Sequence, residues 1–188
     1  MNLPNKISMI RILIIPIMVL AYYLVLPTYN WFDNYYYSLM SIIPGLFVLA
    51  SITDFLDGYI ARKYNLVTTF GKFIDPLADK LLVMTALLML TVDGVIPVWI
   101  VIVILSREFI VTGIRLVAAP TGKIIAASKL GKYKTATTMV ALVLLLMYRI
   151  DNVFVTYGMI LLYVGLALTV ISGIEYFYKN RHIIAESI

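Results

Sequence analysis

The sequence contains no cysteine and few charged residues. The lack of cysteine excludes disulfide bonds, thiolate catalysis and cysteine-ligated metals, and it says little about the cellular compartment. Only 13% of the 188 residues are charged and 62% are hydrophobic, whereas a soluble domain has about 25% charged residues. This composition is typical of an integral membrane protein. We find no Ser/Pro/Gly-rich linker and no internal repeat, so residues 1–188 are predicted to form a single domain.

Polar breaks divide the apolar sequence into about six segments, which predicts an all-α integral membrane protein. Lysine and arginine are concentrated at both termini and in the second and fourth connections, so both termini are predicted to be cytoplasmic. The net charge of +5 suits contact with anionic membrane lipids, whereas basic residues scattered between spans build no surface for nucleic acid. The predicted spans are residues 10–27, 35–61, 71–92, 97–118, 131–149 and 153–177.

The N-terminal segment is open to more than one interpretation. Lys6 and Arg11 precede the apolar run 12–26, as in a signal peptide, but no small-x-small cleavage site follows. A retained first span is therefore predicted. Residues 1–9 either lie along the inner membrane surface as a short amphipathic helix or form a flexible start.

Four aspartates are grouped at the inner ends of the second and third predicted spans. Asp54 and Asp57 are three residues apart, and Asp75 and Asp79 are four apart, so each pair shares a helix face. Because the two spans are antiparallel neighbours, we expect all four carboxylates at one depth, just inside the cytoplasmic boundary. Pro76 leaves two starts open for the third helix: Asp75 is its N-cap, or an earlier helix kinks at Pro76.

Four neighbouring carboxylates repel one another, and burying them in a membrane requires a compensating positive charge. Mg²⁺, Mn²⁺ and Ca²⁺ prefer carboxylate oxygens, and two such ions about 3.5–4 Å apart assist displacement at phosphorus. The small residues Gly58, Ala61 and Gly71 would leave room for a nucleotide diphosphate, although close helix packing also accounts for them. Arg62 suits either the nucleotide or a cytoplasmic flank.

This segment resembles the signature of the CDP-alcohol phosphatidyltransferases, and the matching residues are Asp54, Asp57, Gly58, Ala61, Arg62, Gly71, Asp75 and Asp79. The six-span layout is also similar, so the resemblance covers nearly the whole chain. It implies that an alcohol attacks the β-phosphorus of a CDP-linked lipid and that CMP leaves. It also implies that two divalent cations, Mg²⁺ or Mn²⁺, are held by Asp54, Asp57, Asp75 and Asp79. Asp79 would in addition be the catalytic base, and the CDP group would contact Asp54, Asp57, Gly58, Ala61, Arg62, Gly71 and Asp75.

A second polar stretch indicates which alcohol is the acceptor. The segment SREFIVTGIR places Arg107 and Arg115 on one stripe of an apolar span, and the next connection adds Lys132 and Lys134. These four residues are the predicted acceptor site, because cations near the aspartates favour an acceptor that carries its own phosphate. The same side chains also suit roles without an acceptor: the lysines could attract anionic lipid, Arg115 could snorkel, and Arg107 could form an internal ion pair.

The stretches SREFIVTGIR and LGKYKT are similar to those of bacterial phosphatidylglycerophosphate synthases. This similarity implies CDP-diacylglycerol and sn-glycerol-3-phosphate as substrates, with an inositol-phosphate acceptor as the close alternative. The family resemblance also implies a homodimer, and the expected location is the cell membrane with the active site facing the cytoplasm. An alternative of another class is a small cation or proton transporter, because intramembrane acids mark cation pathways. The off-centre acids and the lack of a repeat favour the enzyme.

Overall fold

The computed structural model describes residues 2–25, 41–64, 68–118 and 129–186. Within these ranges the chain is helical and contains no strand. The prediction of an all-α protein is therefore confirmed. The helices are α1 (Leu3–Val25), α2 (Ile42–Lys63), α3 (Thr69–Val92), α4 (Val98–Ala118), α5 (Lys129–Leu146) and α6 (Asn152–Glu186).

Three of the described helices are long and apolar enough to cross a membrane by length and composition: Pro4–Leu24, Ile42–Ala61 and Asn152–Arg181. Large apolar side chains such as Leu13, Phe109 and Ile174 lie exposed on the outside of the bundle. Such a surface suits lipid, which needs no polar cover. The remaining helices α3, α4 and α5 carry charged side chains, and some of these, such as Lys80, Arg107 and Lys134, line a cavity.

Helix α1 is continuous from Leu3 to Val25, so residues 3–9 form the first turns of this helix. The flexible start is therefore wrong for residues 3–9; they are helical, as in the other interpretation, but they are continuous with the first span. The reason is visible in the buried face of α1. Asn5, Ser8 and Arg11 follow one another at intervals of three and turn toward α2 and α3. The position of residues 3–9 relative to the membrane surface stays a prediction.

Helix α3 begins before Pro76, so Asp75 is not its N-cap. The cap is Thr68, whose hydroxyl accepts a hydrogen bond from the backbone N–H of Gly71 at 3.0 Å. Pro76 lies inside the helix, as the second of the two predicted arrangements requires. This start places Asp75 and Asp79 on successive turns of one helix, both within reach of α1 or α2.

Helices α5 and α6 form a closely packed hairpin. A Cβ atom added to Gly158 would lie 2.7 Å from Cγ of Leu145, and one added to Gly165 would lie 2.8 Å from Oγ1 of Thr138. Glycine at these two points lets the helices approach more closely than larger residues allow. The hairpin packs on a core that includes the fully buried Leu82.

A polar cluster closes the end of the bundle opposite to Asp75. Asp93, directly after α3, accepts hydrogen bonds from the hydroxyls of Tyr22 and Tyr148, each at 2.7 Å, and from Arg149 at 3.4 Å. We refer to these four residues as the Asp93 cluster. It joins α1 to the α3–α4 turn and to the α5–α6 turn, so it holds three parts of the chain together at this end.

Candidate active site

The α2 carboxylates are held by an arginine from α1. Nη1 of Arg11 donates to Oδ1 of Asp54 at 2.5 Å, and Nη2 donates to Oδ2 of Asp57. Arg11 is fully buried and Asp57 nearly so, whereas the side chain of Asp54 is 41% exposed. Charges removed from water are tolerated when they are paired and hydrogen-bonded, and one guanidinium does this for two carboxylates.

A serine of α1 links the α2 and α3 carboxylates. The Ser8 hydroxyl donates to Oδ1 of Asp75 at 2.6 Å, and it also lies 3.2 Å from Oδ2 of Asp57 and 3.1 Å from the carbonyl oxygen of Pro4. The Ser8 hydroxyl oxygen thus bridges Oδ2 of Asp57 and Oδ1 of Asp75. Asp57 and Asp75 therefore converge although they belong to different helices.

The start of α3 is docked on α1 through a glycine. Oδ1 of the buried Asn5 accepts a hydrogen bond from the Thr68 hydroxyl at 2.9 Å. A Cβ atom added to Gly71 would lie 3.0 Å from that Asn5 oxygen and 3.2 Å from the Thr68 hydroxyl. A larger residue at this position would require the Asn5 and Thr68 side chains to move by a few tenths of an ångström.

A polar cavity of about 640 Å³ opens beside these carboxylates, between α2, α3, α4 and α5. Both Asp54 and Asp79 contribute to its wall. Five basic and three acidic side chains line it, so their formal charges sum to +2. A cavity with this surplus attracts an anion. The charged lining residues are Asp54, Asp79, Lys80, Arg107, Glu108, Arg115, Lys132 and Lys134.

Glu108 holds two of the basic side chains in place. Its Oε1 atom accepts a hydrogen bond from Nη1 of Arg107 at 3.0 Å and another from Nζ of Lys134. Nη2 of Arg107 also donates to the Ser172 hydroxyl of α6 at 3.0 Å. A Cβ atom added to Gly173 would lie 2.9 Å from Cγ of Arg107, so this glycine makes room for the arginine against α6.

Arg115 is positioned by an aromatic residue of α6. Its Nε atom donates to the Tyr176 hydroxyl at 3.2 Å, and its guanidinium carbon lies 5.6 Å from the centre of the Tyr176 ring. The second is a cation–π distance. Arg115 is exposed and lines the polar cavity, where a planar guanidinium suits a phosphate group.

The family profile described as CDP-alcohol phosphatidyltransferase matches residues 1–171, which is most of the chain. The chain belongs to the CDP-alcohol phosphatidyltransferase family. A relative from Bacillus subtilis (strain 168) is 48% identical over 187 residues, which cover 95% of each chain. Relatives from Rickettsia felis and Haemophilus influenzae are 41% and 37% identical, with 94% and 93% of this chain covered and 93% and 91% of theirs. All three are named CDP-diacylglycerol–glycerol-3-phosphate 3-phosphatidyltransferase.

In this member of the family, the predicted site residues fall into two groups. Asp54 and Asp79 share the polar cavity with the four predicted acceptor residues Arg107, Arg115, Lys132 and Lys134. Asp57 and Asp75 do not line this cavity; they are joined to each other through Ser8, and Gly71 lies next to Asp75.

The other predicted CDP-binding residues are less closely joined to these groups. Gly58 and Ala61 are partly buried on α2 and do not line the polar cavity. Arg62 belongs to the last turn of α2, and its side chain lies outside the described part of the chain.

The donor atoms suit the divalent cations that the resemblance implies. Within the described ranges no three side chains of the types His, Cys, Asp and Glu are grouped so that they could hold a metal ion. Arg11 lies between Asp54 and Asp57 and keeps their bonded oxygens directed at itself. Even so, carboxylates from two helices converge around Ser8 and Arg11, and oxygen donors of this kind are the ligands that Mg²⁺ and Mn²⁺ prefer. The oxygen donors of these residues therefore suit the two divalent cations.

The sequence-based predictions did not include the contribution of α1. Asn5 and Ser8 belong to the segment 1–9, which is predicted to lie along the membrane surface or to be flexible, and Arg11 is predicted only as part of a signal-like start. All three contact the carboxylate site or its support. Their spacing was the available signal. Polar residues repeated every third position in an apolar helix form one stripe, and a stripe of this kind requires polar partners.

Proposed function

We propose that this chain transfers the phosphatidyl group of CDP-diacylglycerol to sn-glycerol-3-phosphate, with CMP and phosphatidylglycerophosphate as products. The observation that carries this proposal is the polar cavity, in which Asp54 and Asp79 face a surplus of basic side chains. An acceptor with its own phosphate matches that charge, whereas neutral serine or choline does not. The names of the relatives describe the same pair of substrates.

The reaction replaces a phosphoanhydride bond at the β-phosphorus with a phosphate ester bond. The acceptor hydroxyl oxygen forms a bond to this phosphorus, the bond to the CMP oxygen breaks, and CMP leaves with the electron pair. Asp54, Asp57, Asp75 and Asp79 would hold two divalent cations, which supply positive charge for the diphosphate and the departing CMP. Gly58, Ala61, Arg62 and Gly71 would border the CDP group.

Asp79 is the proposed proton acceptor. Its carboxylate lines the cavity beside Lys80 and Lys134, so an acceptor held there would present its hydroxyl to it. A carboxylate is a weak base, and it therefore takes the proton late, when the attacking oxygen has become acidic. Arg107, Arg115, Lys132 and Lys134 are the proposed ligands of the acceptor phosphate.

The proposed location is the cell membrane, crossed several times, with the cavity facing the cytoplasm. Basic residues near the same end of the bundle support this orientation, since cytoplasmic segments carry the excess of lysine and arginine. The water-soluble acceptor would then enter from the cytoplasm, while the lipid substrate stays in the bilayer. Family membership favours this transferase over the alternative of a cation or proton transporter.

The test is an acceptor panel with the purified full-length protein in mixed micelles containing CDP-diacylglycerol. CMP release and the lipid product are measured with glycerol-3-phosphate, inositol phosphate, serine or no acceptor, each with Mg²⁺, Mn²⁺ or EDTA. We expect turnover with glycerol-3-phosphate and a divalent cation only. Turnover with inositol phosphate in place of glycerol-3-phosphate would reject the acceptor, and no CMP release with any acceptor would reject the transferase.

The catalytic residue is tested with a matched pair of substitutions. Asp79→Asn should lower kcat at least about 100-fold, the lower end of the range for a general base. The control is Asp151→Asn, because Asp151 is exposed in the α5–α6 connection and an asparagine can still cap α6. Asp151→Asn should leave kcat unchanged, and equal activity of the two variants would exclude Asp79 as the base.

A further inference from the structure

Arg11 combines complete burial with contacts to two of the proposed cation-holding carboxylates. Each of its terminal nitrogens takes one oxygen, Oδ1 of Asp54 and Oδ2 of Asp57. The other oxygen of each carboxylate stays outside these two hydrogen bonds. An arginine keeps its charge throughout the physiological pH range, so this positive charge is a permanent part of the site.

We propose that Arg11 is a resident counterion of the carboxylate site. It neutralises Asp54 and Asp57 when no divalent cation is bound, and it weakens cation binding because it offers the same carboxylates a competing positive charge. This inference rests on the proposed function, in which these aspartates hold the cations. It assigns to α1 a role in setting the cation affinity of the enzyme.

Two physical effects of opposite sign follow from this role. Without a divalent cation, loss of the guanidinium leaves the carboxylate of Asp57 buried beside that of Asp54, and an uncompensated buried charge is strongly destabilising. With a divalent cation, loss of the guanidinium removes a like charge from its immediate surroundings, and the cation binds more tightly. A residue that only orients the carboxylates would give weaker cation binding when it is replaced. A purely structural residue would affect stability to the same extent with and without the cation.

The experiment compares Arg11→Gln and Arg11→Lys with Lys6→Gln in the purified full-length protein. Lys6 is the matched control because it is an exposed cation on the same helix. Thermal unfolding is recorded in EDTA and in saturating Mn²⁺, and Mn²⁺ affinity is measured by electron paramagnetic resonance of the free ion.

In EDTA, Arg11→Gln should lower Tm by about 10 °C, the scale for breaking a buried ion pair in a chain of this length. Saturating Mn²⁺ should restore most of that loss, and the Mn²⁺ affinity of this variant should rise about tenfold. Arg11→Lys keeps the charge and should lie near the wild type in affinity. Lys6→Gln should change neither quantity.

Three results would overturn the proposal: an unchanged Tm in EDTA, an equal loss of Tm with and without Mn²⁺, or weaker Mn²⁺ binding by Arg11→Gln. If the wild type binds no Mn²⁺, the metal site of the proposed function fails, and the Tm in EDTA still decides whether Arg11 is a counterion. If Arg11→Gln does not fold, the double variant with Arg11→Gln and Asp57→Asn tests whether Arg11 is a counterion of Asp57. This pair should fold and be more stable in EDTA than Arg11→Gln, and a pair as unstable as the single variant contradicts the inference.

Discussion

Replacement of Arg115 by alanine gives the sharpest test of the acceptor site. Arg115 reaches the polar cavity from the C-terminal end of α4, and Tyr176 of α6 fixes its guanidinium by a hydrogen bond and a ring contact. In the proposed complex its terminal nitrogens bind the acceptor phosphate and make no contact with the lipid substrate. Arg115→Ala should therefore raise the KM for glycerol-3-phosphate and leave that for CDP-diacylglycerol nearly unchanged.

The expected size of this effect follows from the exposure of the side chain. Hydrogen bonds to charged groups contribute about 1.5–3 kcal/mol, and the exposed position of Arg115 favours the lower part of that range. A loss of about 1.5–2 kcal/mol corresponds to an increase of about 10–30-fold in the acceptor KM. Tyr176→Phe keeps the ring and removes only the hydroxyl, so its loss of about 0.5–1 kcal/mol corresponds to about 2–5-fold.

The assay is the initial rate of CMP release with each substrate varied in turn. Lys179→Ala is the matched control: it removes one positive charge from α6, but its side chain is 68% exposed and lies outside the cavity. This control should leave both KM values unchanged. Equal increases in the two KM values for Arg115→Ala would refute the reasoning, because they would mean that the arginine supports the fold of the site.

Four further predictions concern other parts of the molecule, and a fifth concerns its assembly. Gly158→Ala should lower the free energy of unfolding by about 1–3 kcal/mol through overpacking of α5 against α6. In Gly113→Ala the added Cβ atom meets no atom within 4 Å, so the better helix propensity of alanine should raise the free energy of unfolding by up to about 1 kcal/mol, measured as a higher Tm. Asp93→Asn should cost about 2 kcal/mol of stability with an unchanged acceptor KM in the rate assay. Gly173→Ala should displace Arg107 and raise the acceptor KM several-fold. Light scattering of the detergent complex should give twice the mass of one chain, as expected for a homodimer.

The six helices of the described residues could be predicted because apolar length and polar breaks are local properties, but some ends were wrong. Helix α2 begins at Ile42 rather than at 35, with residues 35–40 outside the described part, and α5 ends at Leu146 rather than at 149. The span predicted at 97–118 corresponds to Val98–Ala118, and the one predicted at 71–92 to Thr69–Val92. Helix α6 continues to Glu186, beyond the predicted 177, because a helix does not end where its apolar stretch ends. The pair of Lys179 with Glu175, four residues apart, stabilises this polar extension.

The candidate site could be predicted in part for the same reason. The spacing of Asp54 and Asp57 determines that they share a face of α2, and this requires only the periodicity of a helix. The contact of Arg11 with both carboxylates joins positions that are 43 and 46 residues apart in the chain. A contact of this kind depends on how α1 packs against α2, and hydropathy carries no information about that packing.

The Ser8 hydroxyl has one hydrogen and three oxygen neighbours, on Pro4, Asp57 and Asp75. At any moment it can serve only one of them, and the shortest separation, 2.6 Å, belongs to Asp75. The remaining neighbours then face its lone pairs. Rotation about a single Cβ–Oγ bond thus decides which of three helices receives the hydrogen. Any event that withdraws charge from one of these carboxylates will turn the hydroxyl toward the other.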